Sequence, residues 1–348
     1  MSSVSPAHVA TEVAGDTLLS VRGLRKYFPI ERGLLKRHAG DVKAVDDVNL
    51  FIRKGETLGL VGESGCGKTT LGRCIVRAYQ PTTGEVLLRL PNDEIVDIAS
   101  LEADELRRIR RHMHMIFQDP YASLDPRMTV LDIIGEPLKY HRIGSEQERI
   151  ERVKDLMRTV GLEVQHMKRY PHAFSGGQRQ RIGIARSLAP NPELVICDEA
   201  VSALDVSIQA QILNLLKDLQ QQFQLTYLFI AHNLAVVEHI SDRVGVMYVG
   251  KIVELAETEN LFESPKHPYT EALLSAVPKS DPHVKIDRII LPGETANPGD
   301  PPSGCYFHPR CSYAQAICKT TPPEWREAAP DHYAACHFAD KLQLNGVD

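Results

Sequence analysis

Eight consecutive residues, Gly62-Glu63-Ser64-Gly65-Cys66-Gly67-Lys68-Thr69, carry the first recognisable chemistry. They fit the pattern G-x-x-x-x-G-K-[ST], whose parts suit a polyphosphate. Gly62, Gly65 and Gly67 let the backbone bend until successive N–H groups face phosphate oxygens. Lys68 adds a full positive charge, and the Thr69 hydroxyl is an oxygen ligand for Mg²⁺. Ser64, Cys66 and Thr70 line the same turn. Further along, the apolar run Leu194-Val-Ile-Cys ends in Asp198-Glu199. Asp198 can hold Mg²⁺, directly or through water, and Glu199 can polarise an attacking water as general base.

Ser175-Gly176-Gly177-Gln178 opens a helical stretch, and a helix entered this way is a second anion site. One chain therefore offers two places for a terminal phosphate but one Lys68. The simplest solution is a head-to-tail dimer, each nucleotide held by one chain's glycine loop and the other's Ser175-Gly176-Gly177. A last cluster is Cys305, Cys311, Cys318 and Cys336, with His308 and His337 as alternates. The spacing C-x5-C-x6-C-x17-C lacks the tight pair of common zinc sites and is no standard ferredoxin run. Thiols kept reduced in a cytosol favour metal over disulfide or free thiols.

These residues need elements to position them. Residues 57–61 form a short apolar run before the glycine loop, and 70–77 read as a helix after it. Strand, loop, helix is the context that gives the pattern meaning. Residues 18–28 and 44–53 read as strands, and 31–41, mixed in charge with two glycines, as an exposed loop. Prolines at 120, 126 and 137 predict a rigid irregular segment over 118–137. Helical spacing over 146–160, 177–188 and 206–222 alternates with apolar strands at 194–197 and 225–230. That alternation predicts an α/β fold with a mostly parallel sheet and helices on its faces, and its fading beyond about 255 predicts a small irregular cysteine-containing C-terminal domain. The expected division is a disordered tail at 1–16, a nucleotide-binding domain at 17–255 and an appendage at 256–348. A net charge of −5 gives no nucleic-acid footprint. No apolar run approaches the length of a membrane span, and no signal peptide leads the chain.

The motifs together resemble the ATP-binding cassette (ABC) family over most of 17–255, which implies a helical subdomain at about 100–190 and hydrolysis of Mg²⁺-bound ATP. By that resemblance Phe28, with Tyr27 as second choice, stacks on adenine, and Gln118 senses Mg²⁺ and the attacking water. His232 contacts the γ-phosphate, and Asp205, in Ser202-Ala203-Leu204-Asp205, crosses to the partner's site. Ala200, Ala231 and Asn233 depart from the family pattern without removing a charged or ligating atom. The stretches His267-Pro268-Tyr269-Thr270, Gly304-Cys305-Tyr-Phe-His-Pro-Arg310-Cys311, residues 119–126 and Tyr170-Pro171-His172 resemble ATP-binding subunits of bacterial dipeptide/oligopeptide importers, a group with nickel-type relatives. That implies a second ABC ATPase subunit forming a heterodimer, two transmembrane permeases, an extracytoplasmic substrate-binding protein, and a peripheral place on the cytoplasmic face of the inner membrane. It also implies a [4Fe–4S] cluster on the four cysteines, with zinc as the alternative. A soluble ABC ATPase of DNA repair or translation is the rival, disfavoured because no coiled-coil insertion or second cassette is present.

Overall fold

The computed structural model describes residues 15–33, 37–119, 121–277 and 288–347. The disorder expected over 1–16 falls, for 1–14, outside those residues. The chain opens with two long antiparallel strands, β1 (Thr17–Arg32) and β2 (Arg37–Arg53). Of the loop expected over 31–41, residues 31–32 and 37–41 are strand, with Glu31 opposite His38 and Pro29 opposite Asp41, while 34–36 lie outside the described residues. Glu31, Gly33, His38 and Ala39 are exposed, so these strand ends have no apolar face and lack the alternation that marks a half-buried strand.

Next come β3 (Thr57–Val61), α1 (Lys68–Ile75), β4 (Thr83–Arg89) and β5 (Ile95–Asp97). Strands β4 and β5 complete a four-stranded antiparallel sheet in the order β2-β1-β4-β5. The chain then runs through α2 (Ala103–Ile109), β6 (Met113–Ile116), α3 (Val130–Tyr140), α4 (Glu146–Thr159) and α5 (Gly176–Leu188). It continues through β7 (Leu194–Asp198), α6 (Val206–Phe223), β8 (Thr226–Ile230), α7 (Leu234–Ile240), β9 (Arg243–Tyr248) and β10 (Lys251–Glu257). Helices α8 (Thr258–Glu263), α9 (Pro268–Leu274) and α10 (Ala316–Thr320) precede a final hairpin, β11 (Arg326–Ala329) and β12 (His332–Ala334).

The larger sheet has eight strands in the order β11-β12-β10-β9-β3-β8-β7-β6, and the run from β9 to β6 is parallel. Strands β3, β7 and β8 are buried on both faces, which explains their apolar runs. Leu58 and Leu60, Leu194 and Ile196, and Leu228 and Ile230 point into a core shared with the antiparallel sheet. Their alternates, Val61, Val195, Cys197, Tyr227 and Phe229, point into a second core beneath the helices.

The segment expected to stay irregular up to Pro137 becomes helix from Val130, with Pro137 inside α3. A capping box explains the early start: Thr129 Oγ1 accepts from the Asp132 N–H, and the Asp132 carboxylate accepts from the Thr129 N–H. Val130, Ile133, Ile134 and Leu138 then bury one face, which outweighs the hydrogen bond the proline cannot make. Residues beyond 255 share the main core. Strand β12 pairs with β10, and the rings of Tyr248, Tyr269 and Phe307 meet with centroids 4.7, 5.3 and 5.4 Å apart. The buried Glu254 carboxylate is satisfied by the His267 N–H at 3.0 Å and by His332 Nε2 at 2.7 Å.

Candidate nucleotide site

Parallel register brings the chemistry to one edge. Leu60 of β3 lies opposite Ile230 of β8, Asp198 of β7 also lies opposite Ile230, and Ile116 of β6 lies opposite Cys197. The residues just past these strand ends, Gly62 onward, Glu199, His232 and Gln118, therefore emerge side by side at the carboxyl edge of the sheet. That edge is the usual ligand crevice of such folds.

The glycine loop needs its glycines for different reasons. Gly62 and Gly67 have φ of 151° and 112°, and a Cβ on either would lie 2.1 Å from a carbonyl oxygen, of Met247 and Ala44 respectively. Gly65 has φ of 79° and open space around it, so conformation alone demands glycine there. Ser64 and Gly65 form the exposed tip. Lys68 is buried, its Nζ donating to the carbonyls of Gly62 at 2.7 Å and Glu63 at 3.1 Å. Cys66 is buried beneath it, and burial pushes its thiol up, so it acts as packing. Thr70 continues the first turn of α1, partly buried.

Thr69 Oγ1 donates to Asp198 Oδ1 at 2.8 Å. Burial raises the Asp198 carboxyl above its ordinary value, as expected for a buried acid lacking a full counter-charge. A hydroxyl and a carboxylate converging in this way fit a hard cation such as Mg²⁺. Beside them, Glu199 Oε2 accepts from Gln118 Nε2 at 2.7 Å and lies 3.3 Å from His232 Nδ1. Glu199 has φ of 47°, a left-handed turn that costs a non-glycine residue energy. Its N–H is tied to the Ile230 carbonyl at 2.9 Å, which holds the turn and aims the carboxylate at His232. His232 is more than half exposed, at 56%, and so remains open to a ligand.

Comparison with known proteins places the chain. Residues 45–202 match the ABC transporter family, and residues 253–318 match the oligopeptide/dipeptide transporter C-terminal region. The chain is 55% identical to the oligopeptide transport ATP-binding protein AppF of Bacillus subtilis, over 93% of this chain and 98% of that protein. It is 51% identical to a putative peptide import ATP-binding protein of Brucella ovis, over 92% of this chain and 97% of that protein. It belongs to the ABC transporter family. Among solved structures, the ATP-binding cassette MJ0796, described as a dimer in a post-hydrolysis state bound to ADP and Pi, superposes with a TM-score of 0.60 at 30% identity. That match covers 69% of this chain and 99% of the cassette.

The chain is thus an ABC ATPase, and its remaining expected site residues can be located. Ser175 caps α5 in a reciprocal box: its Oγ accepts from the Gln178 N–H at 3.3 Å while its own N–H donates to Gln178 Oε1 at 3.0 Å. A Cβ on Gly177 would lie 2.6 Å from Ile208 Cγ2, and one on Gly176 would lie 3.6 Å from Leu204. The start of α5 therefore packs on the 202–208 segment of the same chain. Asp205 caps α6 by accepting from the Ile208 N–H at 3.0 Å, and the bonds from that N–H and from Ser207 hold its carboxyl below the ordinary range. Ser175, Gly176, Gly177, Gln178 and Asp205 form a second group, distinct from the cluster around Lys68.

Of the two aromatics, Tyr27 is already engaged, its hydroxyl donating to Asp46 at 2.5 Å. The Phe28 ring lies under Lys26 Nζ at 4.8 Å with Tyr79 edge-on at 5.7 Å. Of the departures from the family pattern, Asn233 has a local reason, since its Oδ1 accepts from the Ala235 N–H and caps α7.

The four C-terminal cysteines line one cavity, together with His267, His308 and His337. Burial raises the thiols of Cys305, to about 11, and Cys311, to about 12, and each is raised further by neighbouring thiols. Among the described residues, however, no three His, Cys, Asp or Glu side chains are set to hold a metal ion. The expected sulfur donors share a site without closing on a metal.

Sequence reading passed over Glu63, an unspecified position of the loop pattern. Its carboxylate is gripped by Arg310 and Thr295, and its N–H by the Tyr269 hydroxyl. The motifs holding Tyr269 and Arg310 were visible, but nothing in them pointed to the glycine loop.

Proposed function

We propose that the chain drives uptake of di- or oligopeptides across the cytoplasmic membrane, as the ATP-hydrolysing subunit of an importer. The observation that carries this is the combination of an assembled hydrolytic cluster with the oligopeptide/dipeptide C-terminal region at 253–318. Thr69 and Asp198 would hold Mg²⁺, with Gln118 beside it; when bound, the ion neutralises charge on the β- and γ-phosphates. Lys68 and the N–H groups of the loop bind the phosphates, and Phe28 stacks on adenine. Glu199 takes the proton of the attacking water, Gln118 orients that water, and His232 holds the γ-phosphate. The capped start of α5 and Asp205 meet the nucleotide of a second ATPase subunit, which fits two phosphate sites sharing one Lys68. No described helix is long and apolar enough to cross a membrane. In this reading the permeases and the extracytoplasmic binding protein are other chains, and this one sits on the cytoplasmic face.

Cys305, Cys311, Cys318 and Cys336 would hold a [4Fe–4S] cluster, with zinc as the alternative, supported by their shared cavity and four-sulfur donor set. Tagging the chain, solubilising membranes gently and identifying what co-purifies tests the assembly. A second ATPase and two multi-span proteins are expected. Recovery with ribosomal or nucleic-acid partners from the soluble fraction would overturn the transport reading.

A further inference from the structure

The glycine loop is held from outside the nucleotide-binding fold at one residue, Glu63. The Arg310 guanidinium grips its carboxylate with both ends, Nη1 to Oε2 at 2.8 Å and Nη2 to Oε1 at 3.1 Å. Thr295 Oγ1 donates to Oε2 at 2.7 Å, and the Glu63 N–H donates to the Tyr269 hydroxyl at 2.8 Å. The Glu63 carbonyl accepts from Lys68 Nζ. Every polar group of Glu63 is therefore used, three of its partners, Arg310, Thr295 and Tyr269, coming from residues 269–310. Arg310 is 8% exposed and Tyr269 fully buried, so this is a built contact rather than a surface pairing.

We propose that Arg310, with Thr295 and Tyr269, is a positioning residue for ATP binding, acting through Glu63. Two physical effects converge. A carboxylate at the second position of a phosphate-binding turn repels the anion the turn must hold, and the bidentate guanidinium cancels that charge where screening by water is weak. The same grip fixes the Glu63 peptide, and with it the first bend of the loop and the carbonyl on which Lys68 rests. Arginine is needed because its planar fork matches both carboxylate oxygens, which a lysine cannot do. The C-terminal region thereby becomes part of the ATP site without touching nucleotide.

The test compares Mg-ATP binding by the purified full-length chain, and KM and kcat of ATP hydrolysis by its membrane complex, for Arg310→Ala, Glu63→Gln and the double variant. Arg310→Ala should raise Kd and KM about tenfold while kcat stays within about twofold, since the hydrolytic residues are untouched. Glu63→Gln, which loses the same bidentate pairing, should also weaken Mg-ATP binding, and the double variant should be no weaker than Arg310→Ala, because both changes break one contact. An Arg310→Ala chain that binds Mg-ATP like wild type, or losses that simply add in the double variant, would overturn the proposal. Should Arg310→Ala fail to fold, Tyr269→Phe keeps the ring in the core and removes one hydrogen bond to Glu63. It should raise KM about threefold, and an unchanged KM would count equally against the proposal.

Discussion

Gln118 Nε2 donates to Glu199 Oε2 at 2.7 Å, joining the ends of two neighbouring parallel strands on one carboxylate oxygen. His232 approaches that oxygen at 3.3 Å from a third strand. A carboxylate so placed has its orientation fixed before substrate arrives, and an amide and an imidazole that can exchange it for water and phosphate. Preorganisation of this kind makes an in-line hydrolysis inexpensive in entropy.

Glu199→Gln keeps the shape and the Gln118 contact but removes the base. ATP hydrolysis should fall by roughly 10²- to 10⁴-fold while Mg-ATP affinity changes little. Phosphate-release assays beside equilibrium nucleotide binding measure both, and hydrolysis within tenfold of wild type would remove Glu199 from the role of base.

Gly67→Ala tests the loop itself. A Cβ there meets the Ala44 carbonyl oxygen at 2.1 Å in a backbone of positive φ, so both contact and conformation oppose it. A loss of about 2 kcal/mol or more in stability is expected. The upward Tm shift that saturating Mg-ATP gives the wild type should vanish. Thermal melts with and without Mg-ATP decide it, and a retained shift would show that the loop tolerates a side chain.

His114 predicts an acid limit to stability. Burial, with smaller contributions from His141 and Arg186, lowers its pKa from 6.5 to about 4, and its Nε2 is buried without a hydrogen-bond partner among the described residues. The unfolded chain protonates this histidine first. Its contribution is therefore fully present above pH 6.5 and is lost as pH falls toward 4. By pH 5 the loss is about 2 kcal/mol. His114→Leu, which has no proton to gain, should flatten the decline of stability between pH 7 and 5 in denaturant titrations. An unchanged slope would assign the acid sensitivity elsewhere.

The cysteine cavity is tested by preparation under nitrogen. Brown protein with about four iron and four sulfide per chain is expected, lost in Cys305→Ser and Cys311→Ser. Colourless protein with stoichiometric zinc would select the alternative, and protein free of both would leave the thiols as packing.

The nucleotide cluster was legible in the sequence because phosphate chemistry fixes residue types at fixed offsets. Gly62 to Thr69 and Asp198-Glu199 announce themselves, and parallel β3, β6, β7 and β8 then have few ways to align. The strand ends at 31–32 and 37–41 were illegible because pairing, not an apolar face, makes them strand. Pro137 misled because a single breaker was weighed without the capping box at Thr129 and the buried face of α3. The Glu63–Arg310 pair spans 247 residues and arises because the chain beyond 255 packs back on the main core. No local pattern encodes such a contact, and the interest of Glu63 appears only when its partners are seen.

The most direct test is uptake of a labelled peptide by cells lacking this chain and supplied with either the wild type or Glu199→Gln. The wild type should restore uptake, and Glu199→Gln, though made and assembled with its permeases, should not. Peptide uptake that is indifferent to both, with transport of nickel or another solute lost instead, would contradict a peptide importer.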